Sequence, residues 1–170
     1  MQSITASSLP KHSLLARYSG DQGYTDCLVT DVAGSVSHAQ YVEAFYTGTV
    51  FKIERLLLAW LASRPSTDAQ AKALAMGTLD TFSAWRVEER TADQLLMRDF
   101  SRRTRSWFMT MPLDHGTCLY FGSAVVPLAG KSGRPRMGFG FTALLGFHKL
   151  YSPVLLGSAR ARLARGAPYP

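Results

Sequence analysis

The spacing of apolar residues changes along this chain, and each change marks a new kind of element. Tyr24 to Val32 is rich in β-branched and aromatic residues and reads as a strand, closed by Asp31 and Gly34. From Val42 the spacing becomes three and four. Val42, Phe45, Tyr46, Thr49, Ile53, Leu57, Trp60 and Leu61 share one helical face. Ser37, with Gln40 three residues on, forms a capping box ahead of this helix. Gly48 between two threonines predicts a bend into two helices, and Arg64-Pro65-Ser66 stops the pattern. Thr67-Asp68 is a second cap. The Ala-rich run from Ala69 to Met76, ended by Gly77, reads as a connecting helix rather than a core helix.

The period then falls to two. Four strands are predicted: Phe82 to Glu88, Gln94 to Phe100, Thr104 to Met111 and Thr117 to Val126. Thr91-Ala92-Asp93 and Asp114-His115-Gly116 supply hairpin connections. In the third of these strands Arg103, Arg105, Trp107, Met109 and Met111 share one face, while Ser106, Phe108 and Thr110 share the other. Both faces carry an aromatic residue, so the pattern alone does not name the inner one. Ala129 to Gly138 reads as an exposed loop. A last helix runs from about Phe141 to Leu163, with Leu144, Phe147, His148, Tyr151, Val154, Leu155 and Ser158 along one stripe and Pro153 predicting a kink. The first 18 residues are Ser-rich and weakly patterned and read as a loose arm.

At 170 residues the chain fits one domain and needs no disulfide or metal to fold. Cys27 and Cys118 lie in apolar runs and read as buried free thiols. No apolar leader precedes residue 20. The densest apolar stretch, Leu56 to Ala62 between Arg55 and Arg64, falls well short of the ~20 residues that cross a bilayer. The expectation is a cytoplasmic protein without a membrane span. The net charge of +7 comes from separated groups, and no nucleic-acid-binding motif accompanies it, so a solvated basic surface is the preferred reading.

Three stretches carry a family resemblance. They are Phe82-Ser83-Ala84-Trp85-Arg86-Val87-Glu88; Arg105-Ser106-Trp107-Phe108-Met109 with Gly116-Thr117-Cys118-Leu119-Tyr120-Phe121; and Phe147-His148-Lys149-Leu150-Tyr151-Ser152-Pro153. Together they resemble a bacterial family of START-like domains of unknown function in the polyketide-cyclase/dehydratase (SRPBCC) superfamily. The resemblance spans Phe82 to Leu163, about half the chain. It implies an α+β helix-grip fold: a curved antiparallel sheet around a long C-terminal helix, with two shorter helices inserted after the first strand. The pattern yields five or six strands where that fold has about seven, which predicts a cavity open at one edge.

The resulting expectation is a cavity that binds a small hydrophobic or amphipathic, lipid-like molecule. Tyr46, Trp85, Trp107, Tyr120 and Tyr151 would provide apolar walls, and His148 or Arg105 would fix a polar end. Each has a plainer reading. Strand aromatics are usually core, a helix histidine usually bonds to backbone or water, and Arg86, Arg98 and Arg105 fit an exposed face paired with Glu88, Glu89 and Asp99. The alternatives are a cyclase- or dehydratase-type enzyme using His148 with Tyr120 or Arg105, and an interaction protein using its basic surface. The binding module is preferred over the enzyme. Scattered histidines, absent HExxH and GxSxG motifs, and a Gly138-Phe139-Gly140-Phe141 segment without GxGxxG spacing predict no metal, no nucleophilic catalysis, no dinucleotide and no cofactor.

Overall fold

Gln40 and Gln70 each close a capping box, and these two local devices fix where the first helices start. The computed structural model describes residues 3–20, 23–52, 66–126 and 139–166, and side chains of the last helix from 151 to 165. Ser37 Oγ accepts from Gln40 N while Gln40 Oε1 accepts from Ser37 N, opening α1 (His38–Thr47). Gly48 ends it with ψ 149, and helix resumes at 49–52. The predicted bend therefore stands. Ile53, Leu57, Trp60 and Leu61 lie outside the described residues, as does the expected loop of 129–138. Thr67 and Gln70 repeat the capping box at α2 (Asp68–Ala75), and Gly77 closes that helix at φ +77, a conformation glycine adopts without strain.

The strands are β1 (Thr5–Ala6), β2 (Tyr24–Ala33), β3 (Thr81–Phe82), β4 (Trp85–Arg90), β5 (Gln94–Asp99), β6 (Thr104–Leu113) and β7 (Gly116–Val125). They form one antiparallel sheet in the order β1-β2-β7-β6-β5-β4-β3. The fold class is α+β, and the described residues form seven strands rather than five or six. The two missed strands are two residues long and carry no legible pattern. The spacing alone merges β3 with the start of β4. Ser83, at φ 54, instead turns the chain back so that Phe82 pairs with Trp85.

The last helix, α3 (Phe139–Gly166), packs on α1, β2 and β7. Among its described side chains the buried ones are Ser152, Leu155, Leu156 and Ala159. Val154, placed on the apolar stripe by spacing, is 52% exposed. Small residues set this phase by letting backbones approach: a Cβ on Gly48 would lie 2.8 Å from Ser158 Oγ. α2 is not a mere connector, because Ala71, Leu74 and Ala75 belong to the main core.

That core lies between the helices and the inner face of the sheet. Phe45 stacks on Phe121 at 4.9 Å and meets Phe108 edge-on at 4.7 Å. Tyr46 meets Phe51 at 4.8 Å and Phe82 at 5.0 Å. Such pairs contribute about 0.5–1.5 kcal/mol each beyond the area they bury.

The other face of the sheet is covered too, by the segment expected to be loose. A short 3-10 helix (Leu14–Tyr18) lays Leu15, fully buried, over Trp107, Cys27, Leu96, Met109 and Ala124. Ahead of it, β1 pairs with β2 at the sheet edge, and Ile4 reaches Gly157 of α3. The arm thus wraps one edge and covers the outer face. Its departure from expectation has a physical cause: a strand face bearing Trp107 and Met109 exposes apolar area until something covers it.

Candidate functional site

The sheet divides the residues expected to meet in one cavity. Tyr46, 1% exposed, is in the inner core, and Trp85 packs against the same cluster through the Phe82–Trp85 pair. Tyr151 also borders that cluster and donates from its hydroxyl to Val50 O at 3.3 Å. Trp107, Tyr120 and Arg105 are on the opposite face. His148 lies on α3, on the inner side of the sheet, and its side chain is outside the described residues.

On the outer face each expected ligand contact has a protein partner. Trp107 Nε1 donates to Gln94 Oε1 at 2.9 Å, and the Leu14 backbone N–H donates to the same oxygen at 2.9 Å. Gln94 Nε2 donates in turn to His12 O at 3.3 Å. Gly122 opposes Trp107 across β6–β7, and a Cβ there would meet the indole at 2.9 Å and Leu15 at 2.8 Å. Tyr120 stands 6.2 Å from the Trp107 ring. Burial, and then Cys118, pushes its phenol up to about 12, so it stays protonated and makes a poor base.

Arg105 pairs with an acid as expected, but on a covered face where it is buried rather than exposed. Its Nε lies 2.7 Å from Glu88 Oε2 as an ion pair, although the N–H is not aimed along a hydrogen bond. Its guanidinium also sits 4.8 Å above the Tyr18 ring. A bulge in β4 between Val87 and Glu89 makes this possible. It turns two consecutive carboxylates toward the arm, so that Glu88 also accepts from Tyr18 and Glu89 from Arg17. Arg105 is held by the fold, and the sheet separates it and Tyr120 from the helix that carries His148.

Two open clefts bear on the candidate site. One, about 460 Å³, is bounded by the end of β2 and the β6–β7 hairpin, including Val36, Leu113, Asp114 and His115. The other, about 280 Å³, sits beside the β3–β4 and β5–β6 turns. Trp85, Arg86, Arg98, Phe100 and Arg102 are among its walls. Arg86 and Arg98 are directly opposed across β4–β5, and Arg98 is directly opposed to Arg105 across β5–β6. Phe100 is 64% exposed. Both left-handed non-glycine residues of the described chain, Ser83 (φ 54) and Arg102 (φ 61), line this cleft, and Ser83 Oγ is shielded from solvent without a hydrogen-bond partner. Sequence reading named Trp85 and considered Arg86 and Arg98. It missed Phe100, Arg102 and Ser83, because a turn that needs positive φ at serine and arginine leaves no glycine to mark it.

The described residues hold no cluster of His, Cys, Asp and Glu able to bind a metal ion, and no described helix is long and apolar enough to cross a membrane. Cys27 and Cys118 are buried and free. In the β2–β7 register they stand four residues apart, about 13 Å along the strand. No family model, curated protein or solved structure matches this chain.

Proposed function

We propose that this protein binds a small hydrophobic or amphipathic molecule at the β3–β4 end of its inner core, with Trp85 as the central contact. The observation that carries the reading is the double position of Trp85. It packs against the inner aromatic cluster, and it also lines the open 280 Å³ cleft. A ligand seated there would stack on the exposed side of the indole and of Phe100, with Tyr46 and Phe82 behind. Burying about 150 Å² of apolar surface in this way favours binding by roughly 4 kcal/mol before ordering costs.

The helix-grip reading belongs to this proposal. Seven antiparallel strands among the described residues, α1 and α2 between β2 and β3, and a long C-terminal helix against the inner face support it. Of the residues first expected to line a cavity, Trp85 lines the proposed site, with Tyr46 behind it in the core, while Tyr151 borders the same core cluster. The test is native mass spectrometry of freshly purified protein, followed by denaturing extraction and by titration with alkanols of increasing chain length. Expected are a co-purifying apolar species or chain-length-dependent binding that Trp85→Ala weakens. Protein that is empty and also indifferent to every alkanol would sink the reading.

A further inference from the structure

We propose that the cleft beside Trp85 is an oxyanion site, and that the molecule bound there carries a phosphate or carboxylate held by Arg86, Arg98 and Arg102. The inference rests on the reading above for the apolar half of the ligand only.

Three features converge on it. Arg86 and Arg98 are directly opposed across β4–β5, a placement in which like charges repel. Neither has a carboxylate partner among the described residues, in contrast to Arg105, the next residue in the same lateral row, which has Glu88. A charge row neutralised at one position and open at the other two is arranged for an anion supplied from outside.

The single acid in the cleft wall is already committed. Asp99 accepts from the backbone N–H groups of Arg103 at 2.8 Å and Thr104 at 3.0 Å, and from the Ser101 hydroxyl. It is spent on closing the β5–β6 turn. That closure holds Arg102 at φ 61, a conformation uncommon for any residue but glycine, and places Arg102 on the cleft wall. Ser83, left-handed as well, lines the same cleft, and its buried hydroxyl has no hydrogen-bond partner.

Guanidinium groups suit this task because their fork of N–H donors matches the spacing of carboxylate and phosphate oxygens. A headgroup in the arginines' reach, on the face they share with Arg105, would leave an attached apolar chain against the exposed Phe100, with Trp85 at the border of the cleft. The chemistry recognised is an oxyanion joined to an apolar body.

The experiment is calorimetric titration of the full chain with inorganic pyrophosphate, octyl phosphate, octanoate and octanol. Arg86→Gln and Arg98→Gln are the test variants, and Arg162→Gln, an exposed arginine on α3, is the charge control. Removing one of two repelling charges should leave folding intact, which thermal melting of each variant checks. Expected is binding of the anions in which either test variant loses roughly tenfold in affinity while the control does not. Octyl phosphate exceeding octanoate would indicate a phosphate headgroup, and the reverse a carboxylate. Pyrophosphate binding without any gain from the octyl chain would uphold the oxyanion site and sink the apolar reading. Octanol binding as well as the anions do, with no effect of either variant, would overturn the oxyanion site and leave the apolar reading standing. Equal losses in all three variants would also overturn it, since the binding would then follow net charge alone.

Discussion

Gln94 Oε1 accepts two donors, the Trp107 indole and the Leu14 backbone N–H, and so ties the arm to the sheet at one atom. Replacing Gln94 with Leu would strand both donors in a dry interface. The expected cost is about 2–3 kcal/mol, read as a lower midpoint in urea unfolding. A change under about half a kcal/mol would mean that the arm is not held by this amide. The two cysteines make a second prediction. Burial, and then Asp26, pushes Cys27 up to about 12, while burial and then Asp31 pushes Cys118 up to about 11. Since the thiolate is the reactive form, native protein at about pH 8 should resist a thiol reagent that modifies both cysteines at once in denaturant. Rapid labelling of either thiol in the native state would show that its strand opens far more readily than the packing suggests.

Among the elements, the arm is the one whose behaviour the chain conceals best. Leu15→Ala should cost about 3 kcal/mol and speed hydrogen exchange of the Trp107 indole N–H. A loss below about 1 kcal/mol would mean that Leu15 is readily replaced by its neighbours. Capping boxes, hairpin turns and strand alternation were legible because each is decided within a few residues, as at Ser37 and Gln40 or at Asp114 to Gly116. The assignment of faces was not. Trp107 and Phe108 both end fully buried, one under the arm and one under α1, so a period-two pattern could not tell inner from outer. Long-range contacts decided it. The candidate site divides in the same way: Trp85 was visible as a strand aromatic, whereas the cleft around it depends on two backbone turns with no glycine signature.

For the molecule as a whole, acid is the condition to watch. His38, at the start of α1, is buried with Nε2 unpartnered. Burial pushes it down from 6.5 to about 4, against a smaller opposing pull from the Phe108 backbone. A depressed folded value stabilises the native state fully above pH 6.5 and loses that contribution as pH falls toward about 4. The loss amounts to about 3 kcal/mol, and the net charge of +7 makes the chain still less tolerant of added protons. Urea unfolding across this range should show the decline, and His38→Gln should flatten it; an unchanged slope in the variant would assign acid sensitivity elsewhere. The strand order holds a separate consequence, one of timing. β4 to β7 join through successive short hairpins, but β2 pairs with β7 just over a hundred residues away at Tyr24↔Val125, and the arm reaches Gln94 and Glu89. During synthesis the beginning of the chain must wait, apolar and unpaired, until the last strand has emerged. The meander should therefore form the folding nucleus, with the arm docking after the transition state. Leu15→Ala would then leave the refolding rate in stopped-flow experiments nearly unchanged and express its whole effect as faster unfolding.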